Sequence, residues 1–244
     1  MNRANLYEVF TSIQGEGLFV GKTQIFIRFA GCNLNCSYCD TETALSPQPY
    51  AFFEKEPFLS NFVKVKNPVY VSELVDFIKK TLKKLPSIHS ITFTGGEPLL
   101  YGDYIKDVIV ELNNLKPIHL ETNATMPESL EHLIDYVNFV SMDFKPEFFH
   151  RKNFIEKQLS FLKISSQKDC QVKVVITNAL KEKDFEKVVN IMHLVNSEIP
   201  LILQPNTKEI SFIKEKVLKC YKIAIRKLSN VLIIPQVHTI LGLK

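Results

Sequence analysis

No stretch of the 244-residue sequence stays apolar long enough to cross a bilayer. Residues 1–10 open on polar side chains and show no apolar run followed by a small-residue cleavage site. These two absences argue against a membrane span and a secretory signal, and point to a cytoplasmic chain. A block of basic residues interleaved with aromatics is missing too. The net charge of +4 is spread along amphipathic stretches such as 77–84, which read as solvated helix faces, so no nucleic-acid partner is expected. There is no repeat of fixed period and no low-complexity tract. A chain of this length buries about 70% of the surface its unfolded state exposes and needs no disulfide staples. In a reducing compartment, clustered cysteines point to metal binding instead.

What is present is a strand–helix rhythm. Short β-branched runs at 23–30, 91–94, 118–121, 139–144, 171–177, 201–204 and 231–234 read as strands. Amphipathic stretches at 72–85, 104–115, 128–136, 153–164, 183–195 and 208–227 read as helices, the first with Ser72 as its N-cap. Alternation of this kind predicts an α/β fold with mainly parallel strands and right-handed crossovers. Seven strands suit a single domain over 1–244 built as an incomplete or modified (β/α) barrel. Residues 44–68 break the rhythm with Pro47, Pro49, Pro57 and Pro68 and no clear period, so an irregular insertion is expected there.

Three of the five cysteines, Cys32, Cys36 and Cys39, fall within eight residues. A loop with that spacing can turn three thiolates toward one centre. A cubane 4Fe–4S cluster held by three thiolates keeps one iron open to a substrate or cofactor. A structural zinc site needs four ligands, and no nearby histidine offers the fourth. Cys170, before a strand, and Cys220, on a helix pattern, read as buried small hydrophobes. The second motif is Thr94-Gly95-Gly96-Glu97-Pro98, directly after the strand at 91–94. Two glycines at the carboxyl end of a parallel strand allow close approach to a ligand.

Cys-x3-Cys-x2-Cys with Tyr38 before the last cysteine resembles the radical S-adenosylmethionine (SAM) superfamily, and the Gly-Gly-Glu-Pro motif strengthens the likeness. That resemblance implies a 4Fe–4S cluster at the three cysteines, with SAM on the open iron and its amino group near Gly96 and Glu97. A finer likeness rests on Ser12-Ile13-Gln14-Gly15-Glu16-Gly17, Arg28 and Cys39-Asp40-Thr41. Glu121-Thr122-Asn123, Ser141-Met142-Asp143, Gln204-Pro205 and Gln236-Val237-His238 extend it over nearly the whole chain. Together these resemble the 7-carboxy-7-deazaguanine synthase family of queuosine biosynthesis.

This second resemblance implies a lyase that rearranges 6-carboxy-5,6,7,8-tetrahydropterin to 7-carboxy-7-deazaguanine with loss of ammonia. Gln14 and the backbone of Ile13 and Gly15, with Glu16, would read the pterin edge. Arg28 would fork onto the carboxylate, a pairing that lysine cannot copy, and Thr94 is placed against the substrate as well. Thr41 would bind Mg2+, a hard cation that often takes few protein ligands. SAM contacts carry over to Tyr38, Cys39, Asp40, Gly96, Glu97, Ser141, Met142, Asp143, Gln204, Pro205, Asn206 and Thr207. Many relatives have Ser-Pro-Lys where this chain has Ser141-Met142-Asp143, with Lys145 nearby. Some bring the C-terminal carboxylate into the substrate site, which here is that of Lys244. The family likeness further implies a homodimer and a reductant such as flavodoxin or ferredoxin. Two alternatives stay open on the residues alone: a glycyl-radical-enzyme activase, and a non-catalytic iron–sulfur or zinc module.

Overall fold

The structure, a computed structural model, describes residues 3–244. The chain forms two compact units, and each carries its own stretch of sheet and helices. The first takes the residues up to Gln14, Gly21–Thr122 and His132–Phe139; the second takes Gly15–Val20, Asn123–Glu131 and Val140–Lys244.

In the first unit the strands are β1 (Arg3–Ala4), β2 (Leu6–Ile13), β3 (Thr23–Phe29), β4 (Tyr50–Glu54), β5 (Phe62–Lys66), β6 (Val69–Tyr70), β7 (Ser90–Gly95) and β8 (Ile118–Thr122). Its main sheet runs in the order β8-β7-β3-β2-β4-β5, while β1 pairs with β6 apart from it. Strands β3, β7 and β8 are parallel, with Arg28 opposite Thr94 and Phe93 opposite Leu120. The crossover between β7 and β8 is α2 (Gly102–Leu112), and α1 (Val71–Lys84) precedes β7. Helix α1 buries Val71, Leu74, Val75 and Ile78, the spacing of one helical face. Its exposed lysines at 79, 80, 83 and 84 lie on the other side, and the last two suit the negative end of the helix dipole.

Three sequence expectations need correction in this unit. Strand β2 had no counterpart among the expected strands. Six of its eight residues are buried on both faces, so no period of two marks it. Helix α1 starts one residue early and Ser72 is not its cap. The Glu73 carboxylate instead accepts the Tyr70 amide at 2.9 Å, closing the first turn from within. Residues 44–68 contain ordered strands: β4 and β5 form an antiparallel hairpin whose first strand lies parallel to β2. Glu54 anchors it, accepting the Thr11 amide at 2.8 Å and the Ser60 amide at 3.1 Å. The prolines that suggested irregularity lie outside the two strands.

The second unit orders its strands β12-β11-β10-β9. These are β9 (Phe139–Phe144), β10 (Asp169–Ile176), β11 (Leu201–Pro205) and β12 (Val231–Ile233). Between and around them lie α3 (Pro127–Glu131), α4 (Phe154–Ser165), α5 (Glu182–Val195), α6 (Lys214–Ala224) and α7 (Val237–Ile240). Strands β10, β11 and β12 are parallel. The helix expected over 208–227 is two pieces. Asn206 accepts the Lys208 amide and starts a separate 3-10 turn at Thr207–Glu209, and α6 begins only at Lys214. No helix among the described residues is long and apolar enough to cross a membrane.

Candidate active site

Two clusters of polar side chains stand out, one in each unit. In the first, the cysteine loop leaves the end of β3 and is tied to the glycine motif by backbone. The Gly31 amide donates to Ala44 O at 2.8 Å, the Gly96 amide to Phe29 O at 3.1 Å and the Glu97 amide to Gly31 O at 2.8 Å. A Cβ on Gly96 would lie 2.0 Å from Gly31 O, so only glycine lets the two loops touch. That contact explains why motifs some sixty residues apart occur together. It also shifts the role of Glu97. Its side chain has no exposed surface, and Oε1 accepts the Leu99 amide at 3.0 Å and the Thr122 hydroxyl at 2.8 Å. Glu97 therefore caps the turn after β7 and braces the loop.

Cys32, Cys36 and Cys39 are each partly exposed and outside any disulfide, and the Leu34 amide approaches Cys32 Sγ at 3.5 Å. Among the described residues no three His, Cys, Asp or Glu side chains gather around a point where one metal ion would sit. A cubane needs no such shared point, since each thiolate takes a different iron. Cys170 and Cys220 are buried, and burial pushes each thiol up to about 11, away from the thiolate a metal needs. The donor set thus fits a three-cysteine cluster. Tyr38 is largely covered and Asp40 exposed.

Beside this loop, neighbouring strands align a polar row. Arg28 at the end of β3 donates through Nε to Glu8 Oε1 on β2 at 2.9 Å and through Nη1 to Thr41 Oγ1 at 3.3 Å. Its guanidinium also lies 5.7 Å from the centre of the Phe10 ring. Thr41 in turn donates to Asp40 Oδ1 at 2.9 Å. One strand over, the Thr94 hydroxyl donates to Glu121 Oε2 at 2.7 Å, and Gln14 Nε2 donates to Glu121 Oε1 at 2.8 Å. Gln14 Nε2 also donates to Gln24 Oε1 at 3.0 Å, which takes the Thr92 hydroxyl as well. The amide hydrogens expected to read a substrate are thus spent on the protein. Ile13 ends β2 opposite Thr23. Glu8 and Glu121 were missing from the sequence-based set. Glu121 stood only within a landmark tripeptide, and an acidic residue in a strand usually marks a solvated face.

The second cluster centres on Glu16 in the turn at 15–20. Glu16 Oε2 pairs with Lys173 Nζ, and Oε1 accepts from Gln236 Nε2 at 2.7 Å and Gln204 Nε2 at 3.3 Å. Lys173 reaches Asp143 Oδ2 at 3.3 Å, where Lys145 also pairs at 2.9 Å. Burial opposes the Lys173 charge, but the Asp143 and Glu16 carboxylates outweigh it and its pKa is raised. Gln171 Nε2 donates to Ser141 Oγ at 2.8 Å. By strand alternation Ser141 and Asp143 share one face, while Met142 turns to the other and is fully buried. Pro205 is buried, Asn206 caps the 3-10 turn, and the Thr207 hydroxyl donates to Gln236 Oε1 at 2.6 Å. Gly15 is closed over by the C-terminal segment. The Val237 amide donates to Gly15 O at 2.9 Å, and a Cβ on Gly15 would sit 2.1 Å from His238 Nδ1. Lys244 is exposed at the chain end. Lys173 carried no motif and Gln236 stood only within a landmark tripeptide, and neither was among the expected site residues.

Residues 26–199 match the radical SAM superfamily model, the class that a three-cysteine loop on parallel strands defines. The curated 7-carboxy-7-deazaguanine synthase of Geobacter sulfurreducens is 36% identical over 98% of this chain and 97% of its own length. That of Archaeoglobus fulgidus is 34% identical over 99% of this chain and 100% of its own. The crystal structure of QueE from Escherichia coli shares the fold, with a TM-score of 0.60 at 16% identity over 95% of this chain and 93% of that one. The chain belongs to the 7-carboxy-7-deazaguanine synthase family. Its fold is the α/β radical SAM fold with mainly parallel strands.

Proposed function

We propose that this chain is a radical SAM lyase that converts 6-carboxy-5,6,7,8-tetrahydropterin to 7-carboxy-7-deazaguanine with release of ammonia, in queuosine biosynthesis. The observation that carries the reading is the Arg28 guanidinium, held between Glu8 and Thr41 beside the cluster loop, with the Thr94–Glu121 pair on the next strands. A cationic fork at one point and a carboxyl acceptor near it suit a small ring with a carboxylate at one end and N–H donors at the other. The cluster and SAM, when bound, supply a 5′-deoxyadenosyl radical.

The residues then divide the work. Cys32, Cys36 and Cys39 hold the 4Fe–4S cluster. Arg28 orients the substrate carboxylate, and Thr41 with Asp40 offers oxygens to Mg2+, which accepts few protein ligands. Gln14 and Thr94 hold Glu121, whose carboxylate receives the amino and ring N–H donors of the pterin, with the backbone of Ile13 and Gly15 and the Glu16 side chain assisting. Tyr38, Cys39, Asp40 and Gly96 contact SAM directly, and Glu97 acts by bracing Gly96. Ser141, Asp143, Gln204 and Asn206–Thr207 complete the SAM contacts, with Met142 and Pro205 contributing backbone. Lys244 contributes its terminal carboxylate to the substrate. The enzyme works in the cytoplasm as a homodimer over one radical SAM domain, with flavodoxin or ferredoxin as electron donor.

The test is an anaerobic reaction of the reconstituted protein with SAM, Mg2+, dithionite and the carboxypterin. Formation of both 5′-deoxyadenosine and 7-carboxy-7-deazaguanine is expected. SAM cleavage with no deazaguanine would overturn the substrate assignment. Light scattering that reports a monomer at micromolar concentration would overturn the dimer.

A further inference from the structure

Glu16 sits in a turn, yet three donors from the second unit grip its carboxylate: Lys173 from β10, Gln204 from β11 and Gln236 just before α7. A carboxylate has about four acceptor sites, so its orientation is set by these three. Gln204 and Gln236 are neutral amides. Lys173 brings a charge to Glu16 from a side chain only 12% exposed, between the fully buried Val172 and Val174. The same ammonium spans to Asp143, which Lys145 also faces. The group is therefore balanced, two carboxylates against two ammoniums. A buried ion pair is a poor stabiliser beside an apolar residue of equal volume. Its distinctive effect is to fix which oxygen faces which way.

We propose that Lys173 is a positioning residue for substrate recognition, holding Glu16 in one orientation so that it can accept N–H donors of the pterin. The inference rests on the reading of Glu16 as a substrate contact. Gln204 and Gln236 both reach Oε1, whereas Lys173 holds Oε2. Without the ammonium, Oε2 loses that partner, the carboxylate is free to turn about its last bond, and affinity for the pterin falls.

The experiment measures carboxypterin binding by calorimetry on cluster-loaded protein with SAM and no reductant, beside product formation. Lys173→Met should weaken binding about tenfold, the scale of one lost charge-assisted hydrogen bond. Lys173→Arg should stay within about threefold of wild type. In the Glu16→Gln background, adding Lys173→Met should change affinity by less than about threefold, since the residue acts through Glu16. That double variant also removes one charge of each sign, which keeps the test available where Lys173→Met alone does not fold. Full loss on top of Glu16→Gln, or a loss that Arg does not rescue, overturns the proposal. A wild type that neither binds nor converts the carboxypterin overturns the substrate reading itself, and this inference with it.

Discussion

Arg28→Lys keeps the charge and removes the fork, and the structure shows what the fork does before any substrate arrives. Nε is committed to Glu8 and Nη1 to Thr41, in directions that one planar group satisfies and a single ammonium cannot. The pair is well shielded, with side chains 20% and 4% exposed, so solvent does not erase its worth. A lysine at this position reaches Glu8 or the substrate carboxylate, not both in the same geometry. Losing one charge-assisted hydrogen bond costs about 1.5–3 kcal/mol, which is about a ten- to hundredfold drop in kcat/KM for the carboxypterin. Thr41 stays in the loop but loses its Nη1 donor. The assay follows 7-carboxy-7-deazaguanine and 5′-deoxyadenosine together under anaerobic reduction. The expected variant still cleaves SAM but makes several-fold less deazaguanine per deoxyadenosine, because a loosely held substrate is poorly placed for hydrogen abstraction. Turnover of Arg28→Lys equal to wild type, with unchanged coupling, would refute the clamp.

Alanine at Cys32, Cys36 or Cys39 should abolish iron and sulfide loading after anaerobic reconstitution, whereas Cys170→Ala and Cys220→Ala should load fully, since burial keeps those thiols protonated. Glu121→Gln should raise KM for the carboxypterin by about tenfold, or roughly 1.4 kcal/mol, and leave SAM binding unchanged; an unaltered KM removes Glu121 from the substrate set. Burial, and secondarily His89, depresses the His119 pKa from 6.5 to about 3. The unfolded chain therefore binds the extra proton between those values, and stability present above pH 6.5 is lost as pH falls, by up to about 1.4 kcal/mol per unit. Melting curves at pH 7.5 and 5.5 should show a drop that His119→Phe reduces, and an identical drop in the variant would assign the acid sensitivity elsewhere.

How much of this was legible in the sequence depended on how local each signal is. The cysteine loop carries its own chemistry within eight residues, and the strands from 91 onward announce themselves because β-branched runs alternate with helical spacing. Strand β2 did not, since a strand covered on both faces has no alternation to read. The β4–β5 hairpin was obscured by prolines that lie at its margins and not in its strands. Among candidate site residues, Arg28 and Thr41 were visible only through family likeness. Glu8, Glu121 and Lys173 were invisible even then as candidates, because a charged residue in a strand is ordinarily a solvent-facing one.

The strand–helix order was determined by the sequence itself, since it depends on spacing along the chain, and the cluster and class of chemistry followed from the family likeness that the cysteine and glycine motifs carry. Only the tertiary structure decided what each polar side chain does. It placed Arg28 opposite Thr94 across parallel strands and closed Gly96 onto Gly31. It buried Glu97 against the Leu99 amide and the Thr122 hydroxyl and gave the Gln14 amide hydrogens to Glu121 and Gln24. The physical reason is that a hydrogen bond or ion pair is a property of two groups and the distance between them. The partners of Glu16 are 157, 188 and 220 residues away, a separation that local pattern cannot span and packing can.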